Sequence, residues 1–403
     1  MKKSLATTVL TMGLIGGMLI GNSAMTVSAS EVKELELWHY WSAPNDQVME
    51  AYVAKFNETH PDIQVKVTNV PYAEYTQKAL VQAAAGNGPD IFLYGCNDTA
   101  TLAEAGVLGP MNEIVEAGGF EERFLPLVMA SHEYNDNYYG LPIYGNCLAL
   151  FYNKELVPEA PTTWEELLKV CEEVSGDDCY GLAFCGAETE EGAFQFLPWL
   201  WSAGADLDSV DSEAGIKAFD LYNQLIDNDY ISKEVVSWSQ YDAALQFVAG
   251  RAAMMINGPW NVQTVDESAE FDYSVTVIPA LNGEHASILG GESLGVSADV
   301  DMEAAKVFFD WLYSEEIYEA LVIDVGQLPA DKEMLMDARY QDDPIQKAFV
   351  DNLLVAKPRA YGPQYLEMSE AIQTAYSAVL SGAKEPAEAT AEAASIIKPL
   401  MEQ

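Results

Sequence analysis

Positive charge is what this chain has least of: 20 Lys and Arg stand against 63 Asp and Glu, a net charge of −43 over 403 residues. So few basic groups exclude a protein that grips nucleic-acid phosphates or an anionic membrane surface. Histidine (4) and cysteine (5) are also scarce, and no pair of them has metal-ligand spacing, so a zinc cluster is excluded. No phosphate loop, dinucleotide fingerprint or zinc-protease motif occurs. Beyond residue 30 no apolar run is long enough to span a bilayer. Internal repeats and low-complexity linkers are missing too. Asp206, Asp208 and Asp211 lack the central glycine and closing glutamate of a calcium loop and read as a solvated turn.

What is present begins with a leader. Met1-Lys2-Lys3 is a basic start, residues 5–20 form an apolar stretch, and Val27-Ser28-Ala29 is a small-residue cleavage site. An export signal over residues 1–29 is expected, with cleavage after Ala24 as the weaker alternative. Asn22 stands where a lipid-bearing cysteine would be, so the mature protein is expected to be secreted without a lipid anchor. Five cysteines in an exported chain allow disulfides and leave one over. Cys171–Cys179 is the expected pair, closing a helix-to-strand turn through Gly176, whereas Cys96 and Cys147 would need the fold to join two distant strands.

The length favours two domains over one core. Strand patterns (residues 34–41, 63–67, 89–94, 147–152) alternate with helix patterns, which predicts βαβ units and mostly parallel sheets. Thr163 with Glu166 has the form of a capping box. Residues 252–256 are an apolar run that reads as a strand buried on both faces. Asn257-Gly258-Pro259-Trp260 then starts a helix just past its carboxyl end, the edge where α/β sheets bind ligands.

Aromatic rings at such strand ends are the main functional signal: Tyr40, Trp41, Tyr94 and Trp260. A ring offers apolar area to the C–H face of a sugar, although Trp164, Trp201 and Trp311 lie on amphipathic helices and read as core. Ser42, Asn97, Asp98 and Asn146 lie beside those rings and could orient hydroxyl groups; their local alternative is turn closure. Gly291-Glu292-Ser293-Leu294-Gly295 spells the G-x-S-x-G of a nucleophile elbow. Extended sequence follows it where a helix is required, and all four histidines precede the serine, so an esterase is not expected.

The order Trp38-His39-Tyr40-Trp41, Pro89-Asp90-Ile91, Gly140-Leu141-Pro142, Phe151-Tyr152-Asn153-Lys154, Pro161-Thr162-Thr163-Trp164-Glu165, Asn257-Gly258-Pro259-Trp260 and Gly326-Gln327-Leu328-Pro329-Ala330 resembles the family 1 extracellular solute-binding proteins. That group includes maltose-binding protein and serves sugar-importing ABC transporters. The resemblance covers the whole mature chain. It implies an α/β, two-lobe periplasmic-binding-protein fold with a ligand cleft between the lobes and a multi-strand hinge. Crossings are implied near residues 144–147, 290–293 and 337–343. Residues 30–143 with 293–340 would form the N-terminal lobe, and residues 144–292 with 341–403 the C-terminal lobe. The resemblance adds Phe194 to the site and suggests that Trp199 supports it. Glu292 stands where the family often has an aromatic.

The expected function is therefore capture of a carbohydrate for an ABC importer, through Tyr40, Trp41, Ser42, Tyr94, Asn97, Asp98, Asn146, Phe194, Trp260 and Glu292. No catalytic residue, metal or cofactor is implied. The partners would be the sugar and the permease subunits, with the protein a monomer. Two rivals stand beside this reading. One is a secreted glycoside hydrolase using Asp98 and Glu292; the other is the same fold binding a cationic metabolite.

Overall fold

The computed structural model describes residues 32–41, 45–281 and 283–402. The leader expected over residues 1–29, and Ser42, lie outside the described residues. Nine strands build the two principal sheets: β1 Lys33–His39, β2 Ile63–Asn69, β3 Ile91–Gly95, β4 Leu141–Pro142, β5 Ala149–Asn153, β6 Tyr180–Ala183, β7 Ala252–Asn257, β8 Tyr273–Thr276 and β9 Glu292–Val296. One sheet has the order β2-β1-β3-β9-β4 and the other β8-β5-β7-β6. Helices flank both, giving two lobes.

The expectation of mostly parallel sheets is corrected. β1 pairs in parallel with β2 and β3, but β9 runs antiparallel to β3 and to β4. In the second sheet β5 is antiparallel to both β7 and β8, and only β6–β7 is parallel. The cause is topological. β9 follows chain that has already built the second sheet, and it returns to the first running the opposite way.

That return fastens the lobes together. Ile143 N donates to Glu292 O at 2.8 Å, and Asn146 and Gly290 exchange two backbone bonds of 2.9 Å. Gly145 N donates to Leu328 O at 3.1 Å and Cys96 N to Gly291 O at 3.1 Å. Residues 143–146 and 290–292 thus lie side by side between the sheets. A pair of hydrogen-bonded extended segments bends more readily than it shears, because each bond resists sliding along the strand direction.

Local sequence explains the elements that matter. All six residues of β7 are buried, as expected of an apolar strand covered on both faces. Thr163 caps the helix Trp164–Val174, accepting from Glu166 N while the Glu166 carboxylate accepts from Thr163 N. Such a cap stabilises by about 1 kcal/mol. The expected disulfide is corrected: all five cysteines are free. Cys171 is turned into the core against Gly181, where a side chain on residue 181 would strike its sulfur, so burial of the thiol replaces a covalent closure. Among the described residues no helix is long and apolar enough to cross a membrane.

Candidate functional site

The first wall of the cleft is built at strand ends. β1 stops at His39, so Tyr40 and Trp41 leave the sheet at its carboxyl edge. The Tyr40 ring takes the edges of Tyr72 and Tyr75, each at 5.0 Å between centroids, and its hydroxyl reaches Glu292 Oε1 at 3.4 Å. Trp41 is stacked on Tyr144 at 6.0 Å, and its indole N–H is buried with no acceptor. After β3 the chain turns through Cys96–Asp98. Asn97 donates to Asp98 Oδ1 at 2.7 Å and Thr76 to Asp98 Oδ2 at 2.9 Å. Burial pushes the Asp98 carboxyl up to about 6, against the Thr76 hydrogen bond.

Tyr94 is a correction. Its ring is wholly buried in a cluster with Trp38, Val70, Tyr75, Phe92 and Leu102. Its hydroxyl donates to the Tyr139 carbonyl at 3.3 Å. Gly140 and Gly295 leave the space its ring fills, since a side chain on either would strike it. A strand-end position predicts cleft exposure only if the side chain faces the cleft, and these two glycines draw Tyr94 into the core instead.

The second wall comes from a helix, a turn and a distant loop. The helix Glu190–Ser202 is tied to the end of β7 through Gln195, which accepts from Cys185 N at 2.8 Å and donates to Ile256 O at 3.1 Å. Past β7, the Asn257 side chain accepts from Gly258 N at 3.0 Å and from Asn261 Nδ2 at 2.8 Å, fixing the turn Pro259–Asn261. Trp260 folds back over Gly258, where any side chain would collide with its ring. Phe194 and Trp260 then meet at 6.3 Å between centroids. Trp199, expected to support this wall, is buried and packs on Trp164 at 6.2 Å.

Between the walls sit the crossing segments. Asn146 is buried and its Oδ1 has no partner. Only glycine fits at 290, because a Cβ there would strike that oxygen and the Phe194 ring. Glu292 lies partly buried at the start of β9; its Oε2 is enclosed and unpartnered. Burial raises its carboxyl to about 7, opposed by the Tyr144 and Tyr40 hydroxyls and the Arg359 charge. The resemblance to a nucleophile elbow is resolved here. Ser293 is inside strand β9, and its hydroxyl meets His132 Nε2 in a fully buried contact. The other ring nitrogen of His132 bonds the Val128 carbonyl at 2.7 Å, and burial lowers the imidazole to about 4. This pair ties a helix end to the sheet.

Several residues escaped sequence reasoning. Arg359 is buried with its guanidinium 4.7 Å over the Phe194 ring. It pairs with Glu190 at 2.5 Å, and the Tyr365 and Ser369 hydroxyls donate to the same carboxylate. Its Nε is buried without an acceptor. Tyr361 and Trp201 both donate to Asp206, which is therefore part of the structure behind this wall and not a solvated turn. Tyr144 was placed at a crossing but not in the site. The available signal was compositional: Lys357-Pro358-Arg359-Ala360-Tyr361-Gly362-Pro363 sets a scarce cation among aromatics and turn residues.

Taken together, Trp41 Nε1, Asn146 Oδ1, Glu292 Oε2 and Arg359 Nε are two donors and two acceptors, all buried and all unpartnered, beside the Tyr40, Phe194 and Trp260 rings. The great majority of buried polar groups in proteins are paired, so four unpaired ones in one cleft describe a site for a polar molecule with an apolar face.

Comparison with known proteins gives a consistent result. The family described as "Bacterial extracellular solute-binding protein" matches residues 51–348. A maltotriose-binding protein of Pyrococcus abyssi is 26% identical over 386 residues, covering 91% of this chain and 81% of that protein. A solute-binding protein of an ABC transporter from Thermotoga lettingae, bound with α-D-tagatose, superposes with a TM-score of 0.83 at 27% identity, covering 92% of this chain and 100% of that one. The GacH receptor of Streptomyces glaucescens, solved unliganded and with acarbose, superposes with a TM-score of 0.83 at 26% identity, covering 92% and 99%.

Proposed function

The chain belongs to the bacterial extracellular solute-binding proteins, and from that premise we propose that it captures a carbohydrate outside the cytoplasm and delivers it to the permease of an ABC importer. The observation that carries this reading is the set of four buried, unpartnered polar atoms beside aromatic rings. Sugar hydroxyls both donate and accept, and the C–H face of the ring packs on aromatics. The sugars named with its relatives, maltotriose, tagatose and acarbose, point the same way.

In this reading Tyr40, Trp41, Asn146, Phe194, Trp260 and Glu292 touch the ligand, with Arg359 and Tyr144 added. Asn97 and Asp98 close the first wall. The lobes divide as residues 30–143 with 293–340 and residues 144–292 with 341–403. The protein acts as an exported monomer after loss of residues 1–29, and it is not an enzyme. Asp98 has both oxygens engaged by Thr76 and Asn97, which suits a structural acceptor better than a proton-transfer group.

Titration calorimetry of the mature protein against a panel of mono- and oligosaccharides tests the proposal. Binding near the micromolar range, about −8 kcal/mol, is expected for at least one sugar, with a change in tryptophan fluorescence. No heat and no fluorescence change across the panel would overturn it. Turnover of a chromogenic glycoside would instead favour a hydrolase.

A further inference from the structure

The cleft holds an unbalanced set of charges. Asp98, Glu190 and Glu292 face it, and the only guanidinium or ammonium group beside them among the described residues is Arg359. Lys357 lies nearby but is exposed over Trp201, at 5.8 Å from its ring. Arg359 is already committed, since it pairs with Glu190 at 2.5 Å. Asp98 and Glu292 feel the Arg359 charge, but neither forms an ion pair with it. Their partners are neutral: Thr76 and Asn97 for Asp98, Tyr40 and Tyr144 for Glu292. One oxygen of Glu292 has no partner at all.

Enclosing carboxylates without a counter-charge is expensive, and removing them from water costs several kcal/mol each before any compensation. A neutral sugar would satisfy the free oxygen and leave both carboxylates without an ion-pair partner. A ligand ammonium would answer the oxygen and the charge together. The groups beside Glu292 suit a cation as well, since the Tyr40 hydroxyl at 3.4 Å and the Tyr144 hydroxyl place phenol oxygens next to the carboxylate. Burial raises both carboxyls, Glu292 to about 7 and Asp98 to about 6, and the Arg359 charge only partly opposes the rise.

We propose that the captured carbohydrate carries a protonated amine, seated against Glu292 beside Tyr40 and Tyr144, with Asp98 completing its charge balance. This inference rests on the carbohydrate reading above and narrows it to amino sugars. The Phe194 and Trp260 wall then takes the apolar face of the sugar ring.

The test uses three forms of each sugar on the mature protein: the 2-amino sugar, its N-acetyl derivative, which keeps the nitrogen and removes the charge, and the neutral parent. Monosaccharides and β-linked dimers of the gluco, galacto and manno series are titrated by calorimetry. At least one amino form is expected to bind ten-fold or more tightly than both its N-acetyl and neutral forms. Glu292→Gln should remove most of that preference, and Asp98→Asn part of it. Neutral parents that bind as tightly as the amino forms would overturn the amine while leaving the carbohydrate reading intact. A preference that survives both substitutions unchanged would overturn the seat at Glu292 and Asp98. Binding of no sugar in any form would overturn both readings. Circular dichroism of each variant shows that a loss of binding is not a loss of fold, and the ligand series on the unaltered protein is decisive by itself.

Discussion

The two walls of the cleft are made in opposite ways. The first is local: Tyr40 and Trp41 directly follow β1, Asn97 and Asp98 directly follow β3, and Asn97 bonds its own neighbour. The second is assembled across the chain. Arg359 reaches back 169 residues to Glu190, and Tyr361 reaches 155 residues to Asp206. A wall made at strand ends is held by the sheet beneath it, so changing one side chain there leaves the backbone in place. A wall held by buried ion pairs and hydroxyls depends on each member, because loss of one strands another. The first wall should therefore fail in binding alone, and the Glu190–Arg359 network behind the second in folding as well.

The largest expected effect breaks the second wall at its centre. Glu190→Ala leaves Arg359 as a buried cation and frees the Tyr365 and Ser369 hydroxyls. A destabilisation of about 3–5 kcal/mol in urea unfolding is expected. Trp260→Ala tests whether that wall also binds: affinity should drop by about 2 kcal/mol with the circular dichroism unchanged. Unfolding would mean that the ring serves the core.

The acidity of Glu292 gives a pH dependence whose sign can be stated. Its folded carboxyl is raised to about 7 from an ordinary 4.5, so the native state holds the proton longer than the unfolded chain. The Glu292 contribution to stability without ligand should therefore be highest below about 4.5, fall as pH rises to about 7, and level off, a change on the order of 3 kcal/mol. The whole chain's negative charge acts in the same direction, so the contribution of Glu292 is the difference between wild type and Glu292→Gln. Equal slopes for the two proteins would remove it.

Smaller effects sharpen the contrast. Tyr94→Phe deletes a buried hydroxyl bonded to the Tyr139 carbonyl, and about 1 kcal/mol of stability should go while sugar affinity stays the same. Thr101→Val removes a hydrogen bond of 3.1 Å to the Pro363 carbonyl, which joins a helix of the first lobe to the loop that carries Arg359. It touches neither the aromatic rings nor the unpartnered atoms, so its loss should weaken closure and raise Kd by a few-fold at most. A Kd unchanged in that variant would show that this contact does not bias closure.

The same contrast decides how much could be read from the sequence. The buried strand at 252–257, its turn and the placement of Trp260 followed from apolar pattern, Gly258 and Pro259, all within nine residues. The capping box at Thr163 was equally local. Tyr94 misled because its destination depends on Gly140 and Gly295, far along the chain. Arg359 was missed because its meaning is a partner, Glu190, that no spacing reveals. The sheets came out mixed because strand direction is fixed by where the chain crosses between lobes, whereas periodicity reports only which side chains are apolar.

The central claim is that the two walls close on a carbohydrate. Small-angle X-ray scattering of the mature protein, with and without a saturating sugar identified by calorimetry, tests it most directly. The account predicts a smaller radius of gyration with sugar than without, because four buried polar atoms lack partners until a ligand supplies them, so the unliganded cleft should open to water. Superimposable scattering curves for the two states, at a sugar concentration that calorimetry shows to be saturating, would contradict it.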